Sequence, residues 1–218
     1  MKEIVDALKK HMTNDTFYNE EKVRNGEINV IYIVGYSGSG KSTLSRTAKN
    51  FPNVEIVEHD LIDYVVHMTQ KEIKDEGDLF YSFVKSHYNY CFDLYNIDKD
   101  YMEARRILHE KLNEYILKYS KEHKDKLFII EGTRSLNSYV DKELPDIAII
   151  IKNTPLITSY WRAIKRNALY KDPLRRDKTN DRLYTIRKFF KGIFNKSRWN
   201  YYRITRQYIK KIKEKIQL

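Results

Sequence analysis

Four stretches of the chain are dominated by branched apolar residues: Ile28–Val34, Val54–Val57, Leu127–Ile130 and Ile147–Ile151. Runs this short with no polar face predict strands buried on both sides. Between them the pattern turns helical. A helix is predicted from Lys41 and ends at the Pro52-Asn53 breaker, and a long helical region of two or three helices covers Ile62–His123. Another helix is expected over Leu156–Tyr170, followed by a charged loop, Lys171–Asn180, and basic amphipathic helices. Residues 1–12 predict a short amphipathic helix around Ile4, Val5 and Leu8, then a polar loop to Glu27. Strands alternating with helices predict an α/β fold, a parallel sheet flanked by helices, in one domain. No fifth strand is predicted after Arg176.

The polar clusters GYSGSGKS, EHD and EGTR each stand directly after a predicted strand. Parallel sheets bind ligands outside the C-terminal strand ends, so the three clusters should meet on one rim. Gly35–Ser42 matches GxxxxGK[ST] in full. In that pattern Gly35, Ser37, Gly38, Ser39 and Gly40 form a turn whose N–H groups point at phosphates, and a helix opens behind it with Thr43 in its first turn. Lys41 reaches the outer phosphates and the Ser42 hydroxyl ligates Mg²⁺.

Asp60 is placed to accept a proton from a hydroxyl during phosphoryl transfer, or simply to cap the next helix. Glu131 suits the Mg²⁺ shell or an acceptor hydroxyl, or else caps a turn before Gly132. Thr133 and Arg134 follow it on the acceptor side, where Arg134 grips a phosphate or pairs with Glu131. Arg162 and Arg166 share one helical face, and Arg175-Arg176 follow in the charged loop. Arginines there can neutralise a phosphoryl group in flight and close over it as a lid spanning about 162–180.

Taken together, GYSGSGKST, the Asp after the second strand, IIEGTR (Ile129–Arg134) and NTPLITSYWRAIKRNALYKDPLRR (Asn153–Arg176) resemble the P-loop nucleoside and small-molecule kinases. Uridine kinase has a similar order of parts, and the nearer likeness is to zeta-toxin-type kinases. The resemblance implies a P-loop NTPase fold with ATP as donor. It also implies Lys41 on the phosphates, Asp60 as base, Glu131 near the acceptor, and Arg166 with Arg175 or Arg176 around the transferred group. It further implies a nucleotide sugar as one acceptor class and a protein inhibitor as a partner. The helical region 62–123 is expected to act as the acceptor cap. The chain departs from the zeta-type pattern at Tyr36-Ser37.

Charge alters the picture at one end only. The net charge is +11, and from Arg182 to Leu218 twelve Lys and Arg face a single acid, Glu214, so this tail holds the whole excess. A stripe of Ile204, Tyr208, Ile212 and Ile216 predicts a helix packed on the body, with nucleic-acid binding through the basic face as the alternative. The lone Cys91 excludes an internal disulfide, and no apolar run approaches the ~20 residues of a membrane span. The expected protein is a cytoplasmic, Mg-ATP-dependent kinase acting on a hydroxyl of a nucleoside, nucleotide sugar or sugar derivative. The rival readings are a polynucleotide 5′-kinase and a nucleotide-binding switch with no acceptor.

Overall fold

The computed structural model describes residues 1–96, 101–133, 135–136, 146–169, 191–193 and 195–217. In chain order these form α1 (Lys2–Lys10), β1 (Thr16–Tyr18), α2 (Glu20–Arg24), β2 (Val30–Val34), α3 (Lys41–Arg46) and β3 (Val54–Glu58). A 3₁₀ segment (His59–His67) leads into α4 (Gln70–Asp75), α5 (Asp78–Asn96) and α6 (Tyr101–Glu122). Then come β4 (Leu127–Glu131), β5 (Ala148–Ile151), α7 (Leu156–Leu169) and α8 (Lys196–Lys215).

The sheet order is β1-β5-β2-β4-β3. β2, β3, β4 and β5 run parallel, while β1 pairs antiparallel with β5. The all-parallel expectation is therefore corrected to a mixed sheet of five strands. The extra strand lies in the segment expected to be loop, not after Arg176. Thr16-Phe17-Tyr18 is too short to show an alternation, and polar side chains beside it set its register. Asn153 donates from its backbone to Asp15 Oδ1 at 3.0 Å, and its side chain reaches Asn14 O and Thr16 Oγ1 at 2.7 and 3.3 Å. Asp15 also pairs with Lys152, whose side chain is only 9% exposed.

The four parallel strands lie at the predicted positions, each shifted by one or two residues at an end. In three of them both faces are apolar. Val30, Tyr32 and Val34 join Phe128, Ile130, Ile149 and Ile151 on one face, and Ile31 and Ile33 join Leu127, Ile129, Ala148 and Ile150 on the other. The second face is closed by Ile4, Val5 and Leu8 of α1, Val23 of α2 and Leu44 of α3. The first is closed by Leu79, Phe80 and Phe83 of α5, Leu108, Leu112 and Ile116 of α6, and Tyr208, Ile209 and Ile212 of α8. The helical region after Asp60 thus forms a covering layer of the sheet.

The basic tail packs on the body as expected, with one correction to its stripe. Tyr208, Ile212 and Ile216 face the core, but Ile204 is 37% exposed and Tyr202, Thr205 and Ile209 are buried instead. No helix among the described residues is long and apolar enough to cross a membrane.

Asp15 at the start of β1 provides a test of this arrangement. Removing one partner of a buried ion pair strands the other charge, so Asp15→Ala should cost about 3–5 kcal/mol in denaturant unfolding. Replacing both partners with apolar residues, Asp15→Leu with Lys152→Met, should recover most of that loss.

Candidate functional site

The loop between β2 and α3 is fixed from outside. Gly38 has φ +83, and a Cβ placed on it would lie 2.4 Å from the Ser159 carbonyl oxygen and 3.0 Å from the Ala163 nitrogen, so the loop lies flat on the backbone of α7. From α8, the Tyr202 hydroxyl donates to Ser37 O at 2.5 Å, and its ring stacks on Tyr36 with centroids 5.6 Å apart. Burial pushes the Tyr202 hydroxyl up to about 12, so it is a firm donor. Thr154 Oγ1 donates to Ser39 O at 2.8 Å, and Lys41 Nζ donates to Gly35 O and Tyr36 O at 3.2 and 3.1 Å. The carbonyls of Gly35, Tyr36, Ser37 and Ser39 are thus occupied. Among the described residues the N–H groups of Gly38 and Gly40 have no acceptor. Two free amides in a turn of this kind are the polarity that suits an anion.

The helix behind the loop is shorter than expected. It ends at Arg46 and gives way to turns at Thr47–Asn50. A single helical turn and a half contributes little dipole, so the loop amides and Lys41 carry the positive field.

The three strand-end clusters do converge. A cavity of about 560 Å³ is lined by Ser37, Gly38, Gly40, Lys41 and Ser42 of the loop and by Thr43 and Arg46 of α3. Glu58 and Asp60 line it at the end of β3, Glu131, Gly132 and Thr133 at the end of β4, and Arg162 and Arg166 from α7. Ser39 lines an adjoining cavity of about 390 Å³, which shares Gly40, Thr43 and Arg162 with the first. Gly35 lies beneath the loop against Lys152. Arg134, Arg175 and Arg176 lie outside the described residues, as do most of the expected lid and the tail before Lys191.

Asp60 does not cap a helix. The residue before the 3₁₀ segment is Glu58, no side-chain cap bond forms there, and Asp60 sits in the first turn facing the cavity. Gly132 allows this, because a Cβ there would meet His59 Cβ at 3.2 Å and Asp60 Oδ1 at 3.4 Å.

Two groups in the cavity are held under electrostatic tension. Burial pushes the Lys41 ammonium below its ordinary value, opposed by the carboxylates of Asp60 and Glu131. Lys41 Nζ also lies 3.5 Å from Thr133 Oγ1. Glu131 is 5% exposed, and burial pushes its carboxyl up, opposed by the Ser42 hydroxyl. Among the described residues Glu131 Oε2 has no hydrogen-bond partner. An unpartnered carboxylate oxygen beside a serine hydroxyl is a hard-oxygen pair suited to a divalent cation that takes its remaining ligands from phosphate and water. Arg166 Nη2 donates to Ser37 Oγ at 3.2 Å, which holds one α7 arginine against the loop.

Arg46 and Tyr202 were not assigned to the site from sequence, and Glu58 was placed on the rim only as part of the EHD cluster, with no role of its own. Arg46 had a signal, since it stands one turn after Ser42 on the same helix face. Glu58 is the strand residue nearest Asp60 in sequence on the cavity side. Tyr202 had none, because nothing local links it to a loop 165 residues earlier.

Comparison with known protein families, with curated proteins and with solved structures finds no match for this chain.

Glu131→Gln should stabilise the ligand-free protein at neutral pH by about 1 kcal/mol, the low end for relieving a buried unsatisfied group, which raises Tm by about 3 °C in a chain of this size. The sign follows from the raised carboxyl. A group whose folded value is raised contributes stability below its unfolded value and loses it as pH rises through the folded one. The gain of the variant over the parent should therefore be absent in acid, grow above the ordinary glutamate range and then level off. Thermal unfolding across pH measures it.

Proposed function

We propose that this cavity is the active site of an Mg-ATP-dependent phosphotransferase of P-loop type that phosphorylates a hydroxyl of a small molecule. One observation carries the reading: Lys41, Asp60, Glu131 and the pair Arg162 and Arg166 come from four separate segments and line one cavity floored by a glycine-rich loop with free amides. Phosphoryl transfer needs those parts, namely an anion cradle, a cation on the outer phosphates, a carboxylate for the acceptor proton and mobile guanidinium groups.

In this reading the loop amides and Lys41 bind the β- and γ-phosphates, and the adjoining cavity takes the rest of the nucleotide. Ser42 and Glu131 would hold Mg²⁺, which neutralises charge on the phosphates when bound. The acceptor oxygen attacks the γ-phosphorus as its proton passes to Asp60. The bond to the bridging oxygen breaks and ADP departs with that oxygen's electrons. Arg162 and Arg166 stabilise the equatorial oxygens of the group in flight. A phosphate beside Lys41 would offset the burial that opposes its charge. A switch without an acceptor has no use for Asp60, which favours transfer over bare nucleotide binding.

Incubation with Mg-ATP and pooled acceptors (nucleosides, nucleotide sugars, amino sugars and a 5′-hydroxyl oligonucleotide) followed by mass spectrometry tests the reading, with Lys41→Ala as blank. A phosphorylated small molecule is expected. A phosphorylated oligonucleotide would shift the acceptor class, and nucleotide binding with no phosphorylated product would overturn transfer. Asp60→Asn should lower transfer by about 10²–10⁴-fold while Mg-ATP affinity, followed calorimetrically, changes less than about twofold.

A further inference from the structure

Directly behind Asp60 lies a chain of buried polar side chains that the phosphotransferase reading does not use. His59 is fully buried and Asn113 of α6 is 1% exposed. Tyr32 of β2 donates its hydroxyl to Asn113 Oδ1 at 2.9 Å, and His59 Nε2 lies 3.0 Å from the same oxygen. Asn113 Nδ2 donates to Ser135 O at 2.6 Å. On its other side His59 Nδ1 lies 2.7 Å from His109 Nδ1, and His109 Nε2 lies 3.1 Å from Asp63 Oδ1. Arg105 closes the chain by donating from Nε to Asp63 Oδ1 at 2.8 Å.

The protons in this chain can be placed by elimination. The Ser135 carbonyl only accepts, so Asn113 must turn its NH₂ toward it and its oxygen toward Tyr32 and His59. That oxygen only accepts, so His59 carries a proton on Nε2. The Asp63 carboxylate only accepts, so His109 carries a proton on Nε2. Two ring nitrogens at 2.7 Å then need one proton between them. The histidine pair therefore holds one more proton than two neutral rings. That proton belongs on His109, which is less deeply buried and adjoins Asp63. Burial, with the charge on His109 next, pushes His59 well below the usual histidine range, which keeps it neutral. A second proton would put two cations in contact, and loss of the shared proton would set two lone pairs against each other. Among the described residues the charged and titratable groups around His59 are His109 and Arg105 from α6, Asp63 from the 3₁₀ segment, the chain neighbours Glu58 and Asp60, and, through Asn113, Tyr32 from β2.

Both ends of the site's acceptor side hang on this chain. His59 is bonded to Asp60 through the main chain, and Ser135 follows the Gly132-Thr133 turn. We infer that the Tyr32–Asn113–His59–His109–Asp63 chain is the positioning device for the site, holding the Asp60 carboxylate and the Thr133 hydroxyl in place through one proton shared by His59 and His109. The inference rests on the phosphotransferase reading for its function but not for its geometry. His59 and His109 are positioning residues, since neither lines the cavity.

The geometry is tested first, without any activity. Long-range ¹H–¹⁵N spectra of ¹⁵N-histidine-labelled protein, assigned with His59→Gln and His109→Gln, should show His59 protonated on Nε2 alone and staying neutral below the ordinary histidine range. His109 should show both ring nitrogens protonated. A His59 protonated on Nδ1, or titrating as a free histidine does, would overturn the inference whatever the enzyme does. The function is tested with His109→Gln, and with Asp63→Asn in case the first variant fails to fold, which thermal unfolding reports. Turnover of Mg-ATP should fall about ten- to hundredfold, the cost of a misplaced reacting group, with nucleotide affinity within about twofold. The acid limb of the pH–rate profile should move to higher pH, because His59 keeps its burial but loses the neighbouring cation that also opposed its protonation. Unchanged turnover, or turnover and affinity falling equally with the acid limb fixed, would reduce the chain to a structural one. If the parent protein shows the expected spectra but no turnover at all, the phosphotransferase reading falls and takes the positioning role with it.

Discussion

Burial of the sheet on both faces is the constraint from which the rest follows. β2, β4 and β5 offer no polar side-chain position on either face over most of their length, because Ile31 and Ile33 look into one core and Tyr32 and Val34 into the other. Tyr32 is the partial exception, and it needs Asn113 to satisfy its hydroxyl. Polar chemistry is therefore confined to the strand ends, where the backbone leaves the sheet and side chains can reach water. The parallel order brings the ends of β2, β3 and β4 together. Lys41, Asp60 and the Glu131–Thr133 turn thus meet from three segments far apart in sequence.

A glycine-rich turn is not rigid on its own, and the structure supplies the rigidity from elements late in the chain. α7 presses its backbone on Gly38, α8 delivers Tyr202 to Ser37, and Thr154 takes Ser39. Each contact occupies a carbonyl or excludes a side chain, and among the described residues the Gly38 and Gly40 amides are left without an acceptor. This gives the basic tail a structural part. Its inner face of Tyr202, Tyr208, Ile209 and Ile212 belongs to the loop and the core, whatever its cationic outer face does.

Sequence showed what local pattern can carry. The parallel strands, the lysine-serine pair and the placement of Asp60, Glu131, Arg162 and Arg166 were legible because each lies in a run or a motif tied to a strand end. β1 was not, since three half-buried residues leave no period to detect and their register depends on Asp15 meeting Lys152 and Asn153 across more than a hundred residues. Ile204 was misassigned because an i+4 stripe drifts around a long helix, and the buried face follows Tyr202, Thr205, Ile209 and Ile212 instead. His59 read as a mere neighbour of Asp60. Its partners at 109 and 113 share one helix face, but nothing in the sequence says that this face meets residue 59.

The charges in the cavity explain why such a site needs support around it. Lys41 and Glu131 are opposite in sign, yet burial works against the ionised form of both, and the two do not neutralise each other by direct contact. Lys41 instead rests on loop carbonyls and Glu131 keeps one oxygen unpartnered. Left alone, such an arrangement would relax by collapse of the lysine onto the carboxylate. The loop's attachment to α7 and α8 opposes that on one side, and the His59–Asn113 chain behind the 3₁₀ segment opposes it on the other. The stability spent in keeping both charges apart is returned when an anion meets the lysine and a cation meets the glutamate together. A ligand bringing only one of the two would leave the other group as it was, so relief of both charges would need an anion and a cation together.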